Sequence, residues 1–149
     1  MQVFIIGSPL ETAKILDKKR LNKQILEIRQ ILKAINGESK AWVNHPCTLQ
    51  YKEYKEWLIS YLNVLINYQK HSFNLKNRDY LGAARVWNNY SMDFKPSFHD
   101  TDFFDNMKRR LYSKDNKHYK QFAYLGESEE NHYFVNGELR VYINGKRVD

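Results

Sequence analysis

Cysteine is scarce in this sequence, and Cys47 is the only one among 149 residues. A single thiol excludes a disulfide within the chain and a zinc finger built on paired cysteines. The five histidines are scattered along the chain and do not form a cluster with metal-ligand spacing. The sequence therefore predicts a cytoplasmic protein without a metal site.

Long hydrophobic runs are also missing. No apolar stretch is long enough to cross a membrane, and the first nine residues, MQVFIIGSP, lack the basic start and extended apolar segment of a signal peptide. There is no internal repeat or low-complexity segment. Because this length suits one domain, we predict a monomer with a single domain over 1–149 and no membrane partner. Its helical core is predicted at 1–126 and a β-hairpin tail at 127–149.

Positive charge is in excess. The 24 lysines and arginines outnumber the 17 acidic residues, which gives a formal net charge of +7, and 15% of the residues are aromatic. Cations bind phosphates and rings stack on bases. The combination favours a nucleic-acid partner over a membrane surface.

The stretch Asp17–Ile35 has apolar residues at helical spacing, which predicts a helix with one buried face. That face carries Leu21, Ile25, Ile28, Leu32 and Ile35. An adjoining flank holds one carboxylate among polar and cationic side chains, because residues three, four and seven apart stack along one side of a helix. Its members are Arg20, Lys23, Gln24 and Glu27. The simpler interpretation of this flank is a solvated face with a Lys23–Glu27 ion pair.

The N-terminal stretch predicts a short strand followed by a short helix. The segment QVFII at 2–6 is β-branched and aromatic, as in a strand or an extended lead-in. Ser8, Pro9 and Glu11 have the order of an N-cap, a first-turn proline and a capping-box acid. We therefore predict a helix near 9–15.

Further helices and a β tail complete a mainly α fold. The helices are predicted over Thr48 to about His71, over 81–87, and after a cap at Thr101 or Asp102 with residues 108–110 facing outward. The tail, HYFV-NG-ELRVYI-NG-KRVD, has two Asn-Gly pairs flanked by alternating apolar residues. This pattern is typical of type I′ turns and predicts a β-meander.

Two segments outside the long helices are candidates for function. His45 precedes Pro46 and should be extended, which presents its imidazole from a loop, as a catalytic group or as a hydrogen-bonding spacer. Cations and rings alternate from Lys114 to Tyr124. This alternation is typical of a segment that holds DNA backbone and bases, although a solvated helix end with core rings has the same pattern.

Four groups of residues follow one another in an informative order. They are Leu16-Asp17…Arg20-Leu21…Lys23-Gln24…Glu27…Gln30-Ile31-Leu32, Trp42…Asn44-His45-Pro46, Tyr61-Leu62…Phe73, and Lys114-Asp115…His118-Tyr119…Phe122. Their order and spacing over residues 1–124 resemble bacterial and phage relatives of the pyrimidine dimer DNA glycosylase family, which phage endonuclease V typifies.

The resemblance implies a compact helical fold of the endonuclease V type, without metal or organic cofactor. It implies a DNA glycosylase with AP lyase activity, which removes a damaged pyrimidine from double-stranded DNA and then nicks the strand. The family nucleophile is the α-amine of the N-terminus, and Glu27 matches its catalytic glutamate. The candidate catalytic residues are Met1, Arg20, Glu27 and His45. The candidate DNA-binding residues are Lys19, Lys23, Gln24, Asn44, Arg109, Arg110, Lys114, Lys117, His118, Tyr119 and Lys120.

The implied chemistry needs a neutral amine. An α-amine, with a reference pKa of about 7.7–8.0, offers a larger neutral fraction at pH 7 than a lysine does. Because Gln2 is large, Met1 should be retained. Either the amine of Met1 attacks, or a lysine such as Lys19 or Lys23 does, or the lyase step is lost.

Three hypotheses follow. The first is the glycosylase, acting on pyrimidine dimers or on another damaged, modified or foreign base. The second is a non-catalytic nucleic-acid-binding protein on the same scaffold. The third is a protein-interaction module whose cations meet an acidic protein surface.

Overall fold

The computed structural model describes residues 1–73 and 95–149, so the helix predicted over 81–87 lies outside the described residues. The helices are α1 (Pro9–Ile15), α2 (Lys18–Ile35), α3 (Pro46–Tyr51), α4 (Lys55–Phe73) and α5 (Thr101–Lys114), and a 3₁₀ helix follows at Lys120–Leu125. The strands are β1 (Asn131–Val135), β2 (Glu138–Ile143) and β3 (Lys146–Arg147). The described residues are thus mainly helical with a small C-terminal antiparallel sheet, as the sequence predicts.

The first helix begins at its predicted cap, and the second begins one residue after Asp17, the first residue of the predicted helical stretch. Ser8 Oγ accepts a hydrogen bond from the Glu11 N–H at 3.2 Å, with Pro9 in the first turn of α1. Asp17 caps α2 by accepting from the Arg20 N–H. The helix ends before Gly37, whose φ of +76° is the conformation that glycine adopts most easily. The local sequence alone therefore sets the bounds of α1 and α2.

The core lies mainly between α2 and α4. Four residues of the predicted apolar face of α2 are buried and the fifth, Ile35, is partly buried, and α2 packs against α4. The second long helix predicted from Thr48 is in fact two helices, α3 and α4, which is a correction. No glycine or proline lies between the two helices. The rings of Tyr51 and Tyr54 both pack against Phe98, and their centroids lie 5.6 and 5.8 Å from that of Phe98. Aromatic packing between distant parts of the chain overrides the local helical pattern here.

The predicted N-terminal strand is absent, which is a second correction. Residues 1–6 are extended, but side chains rather than another strand satisfy alternate backbone N–H groups. The Phe4 N–H donates to Gln24 Oε1, and the Ile6 N–H donates to Thr12 Oγ1 at 3.0 Å. Val3 and Ile5 point into the core and are fully buried. The segment is therefore an extended lead-in held by α1 and α2.

The helix predicted after a cap at Thr101 or Asp102 is α5, and it begins one or two residues earlier than predicted. Asp100 is its cap and accepts from the Phe103 N–H at 2.9 Å, so Thr101 and Asp102 belong to the first turn. The run Asp100-Thr101-Asp102 offers three residues that favour N-caps, and the sequence alone does not choose among them.

The β-meander is confirmed. Strands β1 and β2 pair antiparallel with Asn131 opposite Tyr142, and β3 extends the sheet on the far side of β2. Asn136 and Gly137 have φ values of +53° and +79°, as a type I′ turn requires. The Phe134 N–H donates to Gln50 Oε1 at 2.7 Å, which ties β1 to α3. The tail is therefore packed against the helices.

In the part of the chain that the structure describes, no helix combines the length and the hydropathy that a membrane span needs.

Candidate active site

A cleft opens where the start of the chain crosses α2 and meets the end of α5. Its lining residues come from four separate parts of the chain. They are Met1, Gln2, Phe4, Lys19, Arg20, Lys23, Gln24, Glu27, Arg110, Lys114 and Asn131. The cavity volume is about 190 Å³, below the range of about 300–1,000 Å³ that is usual for drug-sized ligands. A sugar-sized fragment fits such a space better than a whole nucleotide does.

The cleft is strongly positive. Five of its lining residues are cationic and one, Glu27, is acidic. The cations are Lys19, Arg20, Lys23, Arg110 and Lys114. A concave surface with one sign of charge concentrates the field and attracts anions. The arrangement therefore suits a phosphate-bearing ligand.

Glu27 lies in this cleft with its side chain only 15% exposed. Its Oε2 accepts from the Gln2 N–H at 3.4 Å, and its Oε1 lies 3.9 Å from Lys23 Nζ. Consecutive backbone nitrogens are at most about 3.7 Å apart, so the amine of Met1 is within about 7 Å of the carboxylate. The acid therefore faces the beginning of the chain instead of bulk solvent.

Gln24 fixes the backbone that leads into the cleft. Its Nε2 donates to the Gln2 carbonyl at 2.8 Å while its Oε1 accepts from the Phe4 N–H, and its side chain is buried. On the other side, the Tyr133 hydroxyl donates to the Met1 carbonyl at 2.8 Å. With the bond from the Gln2 N–H to Glu27 and a bond from the Tyr61 hydroxyl to the Phe4 carbonyl, five hydrogen bonds hold the first four residues, so the position of Met1 depends on α2, α4 and β1.

Arg20 is held at the edge of the cleft by a partly buried network. Its Nη1 donates to Asp17 Oδ1 at 3.1 Å, and its Nη2 donates to the Lys114 carbonyl at 3.4 Å. The Tyr119 hydroxyl also donates to Asp17. Burial alone would raise the pKa of Asp17, but the bonds from Tyr119 and Arg20 outweigh it and lower that pKa. Asp17 therefore stays ionised and orients the guanidinium.

Tyr119 is a core residue and not the direct DNA contact that the sequence predicts. Its ring is fully buried, and its hydroxyl is occupied by Asp17, so it cannot stack on a base. Phe122 is buried as well, whereas Lys117 and Lys120 are exposed. The alternation in this segment places the Tyr119 and Phe122 rings inward and cations outward. It presents positive charge on the surface, together with the exposed rings of His118 and of Tyr124, the latter at 75% exposure.

Lys114 experiences the excess of positive charge most directly. Partial burial lowers the pKa of its ammonium group, and three neighbouring cations lower it further, whereas Glu27 opposes the shift. The three cations are Arg110, Lys23 and Arg20. The Lys114 Nζ lies 5.9 Å from the centroid of the Phe4 ring. A bound anion would relieve this repulsion.

The two arginines near the end of α5 do not both face outward, contrary to the prediction. Arg109 Nε donates to the Leu125 carbonyl at 3.0 Å. Arg110 Nε donates to Asn131 Oδ1 at 2.9 Å, and its Nη1 donates to the Ser128 carbonyl at 3.0 Å. Both side chains are half-buried because they hold the segment that leads into the sheet. Of these two arginines, only Arg110 lines the cleft.

His45 lies near the start of the chain but does not line the cleft. Its Nδ1 accepts from the Cys47 N–H at 3.1 Å, which caps α3, and its ring centroid lies 5.8 Å from that of Tyr133. Burial and, secondarily, the positive N-terminus lower its pKa. Because one ring nitrogen is already used for the cap, a spacer role fits His45 better than direct catalysis. Asn44 is exposed in the preceding turn.

Among the remaining predicted DNA-binding residues, Lys19 lines the cleft and His118 does not. His118 is exposed, and its Nε2 lies 3.0 Å from the Ile15 carbonyl. Sequence reasoning missed Asn131 and Tyr133, which approach the cleft from the tail. Strand alternation signals that Tyr133 points inward, but no local signal indicates that it meets Met1.

Residues 1–78, just over half of the chain, match a family model described as pyrimidine dimer DNA glycosylase. The chain belongs to this family. Searches of curated proteins and of solved structures returned no match. The region matched by the family model contains α1 to α4 and, with them, Met1, Arg20, Glu27 and His45. The resemblance noted over 1–124 is thus supported as far as residue 78.

Proposed function

We propose that this member of the family is a DNA glycosylase with AP lyase activity, acting on damaged or modified pyrimidines such as pyrimidine dimers in duplex DNA. One observation carries the proposal: the Glu27 carboxylate faces the first residues of the chain inside a cleft with five cations. The family name supplies the substrate class, and the cleft supplies an amine, an acid and phosphate ligands in one place.

The proposed reaction begins with the amine of Met1. Its lone pair attacks C1′ of the damaged nucleotide, the bond from C1′ to the base breaks, and the base leaves with that electron pair. The attacking nitrogen then gives up one of its protons and forms a double bond to C1′, the bond from C1′ to O4′ breaks, and O4′ takes up that proton, which leaves a protonated imine. The Glu27 carboxylate stabilises the developing positive charge on the sugar and then on the imine.

Strand scission follows from the imine. The imine makes the C2′ proton acidic, and Glu27 accepts that proton as a general base. The electrons of the C–H bond form a new double bond, and the 3′ phosphate leaves with the electrons of the bond from C3′ to oxygen. Hydrolysis of the unsaturated imine returns the free amine.

The cations bind the strand on either side of the reacting sugar. Lys19 and Lys23 are exposed at the rim, whereas Arg20 is fixed by Asp17 and so presents its charge in one orientation. Gripping phosphates on both sides of a lesion favours a kinked duplex, which lowers the cost of unstacking a nucleotide, a few kcal/mol for a paired base.

The test is covalent trapping. Abasic and UV-irradiated duplexes are incubated with the protein and reduced with borohydride, and a stable adduct together with strand scission supports the proposal. Glu27→Gln should abolish scission while DNA affinity stays within about threefold, because it removes one negative charge that faces a polyanion. Glu38→Gln is the matched control, since it changes the net charge equally at an exposed position after α2.

Tryptic mapping of the adduct identifies the attacking amine. Trypsin cleaves after Lys14 only when the Lys14 side chain is unmodified. Apart from Lys14, peptide 1–14 has no amine besides that of Met1, so an adduct on this peptide must lie on the amine of Met1. An adduct on Lys19, Lys23 or Lys114 would assign the attack to a lysine instead. No adduct and no scission across a panel of lesions would reject the lyase step.

One observation favours the non-catalytic alternative. In this structure the Glu27 carboxylate already contacts Lys23 and accepts from the Gln2 N–H, as a purely structural acid would. A binding protein of this kind predicts salt-dependent DNA affinity and no product with any lesion. The same trapping experiment separates the two functions.

A further inference from the structure

Trp42 combines exposure with an unfavourable backbone. Its side chain is 45% exposed, and its φ is +66°, in the left-handed region that β-carbon crowding disfavours. The other non-glycine residues with positive φ in the described ranges are Asn136 and Asn144, which occupy turns that favour asparagine. Trp42 has no such local reason. Strained residues of this kind concentrate at functional sites.

Trp42 is linked to the start of the chain through His45. The Trp42 carbonyl accepts from the His45 N–H at 3.1 Å, and the Trp42 and His45 rings lie edge to face with centroids 5.6 Å apart. His45 in turn contacts Tyr133, whose hydroxyl binds the Met1 carbonyl. Two ring contacts and one hydrogen bond thus connect Trp42 to the chain start that lines the basic cleft.

We propose that Trp42 is a stacking platform for a nucleobase that leaves the duplex when a strand occupies the cleft, an inference that rests on the proposed function. Every base has a π-face, so an exposed indole can receive one without sequence preference. Val43, at 40% exposure, widens the apolar surface, and the exposed Asn44 amide offers a donor and an acceptor to a base edge. The cations of the cleft supply the phosphate contacts for the strand whose displaced base stacks on Trp42.

The occupant is a base because of the positive charge of the cleft to which Trp42 is linked. A protein partner would need acidic groups to match the five cations of the cleft, whereas a nucleic acid strand offers phosphates and rings at a regular spacing. The cleft supplies the phosphate ligands, and Trp42, linked to it through His45, Tyr133 and Met1, supplies an exposed ring.

The probe is a duplex with a tetrahydrofuran abasic analogue and 2-aminopurine opposite it, titrated by anisotropy at several salt concentrations. Trp42→Ala should weaken binding by about 5- to 100-fold, the range expected for one lost base stack, and should leave the salt slope unchanged because no phosphate contact is lost. Trp42→Phe keeps a ring and should bind within about threefold of the wild type. Stacking on the indole should quench 2-aminopurine fluorescence with the wild type, and this quenching should be lost with Trp42→Ala.

Leu10→Ala is the control, since Leu10 is exposed to a similar extent, 49%, and does not line the cleft. It should bind as the wild type does. If the urea midpoint of Trp42→Ala falls, Trp42→Gly, which suits the positive φ, replaces it in the same assay. Unchanged affinity for Trp42→Ala, or a loss accompanied by a shallower salt slope, would overturn the stacking role alone. A wild-type protein that does not bind DNA would overturn both this inference and the proposed function.

Discussion

Replacing Gln24 with methionine tests whether side chains of α2 hold the start of the chain. Methionine has a similar length and volume, so the exchange leaves the packing nearly unchanged and removes the amide. Two buried backbone groups, the Gln2 carbonyl and the Phe4 N–H, then lose their partners. Each unsatisfied group costs about 1–3 kcal/mol, so we expect Gln24→Met to lower the free energy of unfolding by about 2–6 kcal/mol.

Urea denaturation at pH 7 measures this loss, with an m value that stays constant if the denatured state is unchanged. Gln121→Met is the control, because Gln121 is exposed on the 3₁₀ helix and should change stability by no more than about 0.5 kcal/mol. Under the proposed function, Gln24→Met should also reduce borohydride trapping, since Met1 is no longer positioned. A loss of stability below about 1 kcal/mol would show that Gln24 does not hold this segment, and the account of the cleft would fail with it.

Two further predictions concern charge. Burial first, and Lys95 second, lower the pKa of His99 to about 3, so between pH 6.5 and 4.5 the unfolded chain binds a proton that the folded chain excludes. The free energy of unfolding should therefore fall by about 2.5 kcal/mol as the pH drops over that window. Urea midpoints measured against pH should fall less steeply for His99→Phe than for the wild type, and an identical pH dependence would contradict the prediction. The Lys23 side chain is 65% exposed at the rim and should contact only phosphate. Lys23→Ala should reduce the slope of log affinity against log salt concentration by about 1 and change the free energy of unfolding by under about 0.5 kcal/mol. An unchanged slope would place the DNA elsewhere.

Local chemistry explains the elements that the sequence predicts well. Ser8 and Asp17 are capping residues whose effect is confined to one turn, and the two Asn-Gly pairs set their turns through backbone preference alone. The flank of α2 is predictable for the same reason, because helical spacing fixes which side chains are neighbours. Arg20, Lys23, Gln24 and Glu27 do line one cleft.

The errors arise where the outcome depends on a distant partner. The segment QVFII has the composition of a strand, but Gln24 and Thr12 supply the acceptors that a neighbouring strand would otherwise provide. Tyr119 has the surroundings of a DNA-contacting ring, but Asp17 lies across from it and takes its hydroxyl. Neither outcome can be predicted until the packing of the helices is known.

The same dependence links stability to the proposed chemistry. The start of the chain belongs to no strand or helix before Pro9, so its position is set by a few side chains on α1, α2 and α4 and by Tyr133 on β1. In a sheet, repeated hydrogen bonds between backbone groups would hold this segment, and a change of side chain would leave those bonds in place. Here each anchoring bond depends on one particular side chain, so substitutions at Gln24 or Tyr133 should affect folding and the placement of Met1 together. Substitutions of the exposed lysines should alter DNA affinity alone. The geometry of the cleft therefore predicts two groups of residues: those that anchor the start of the chain, and the exposed lysines that contact the DNA strand.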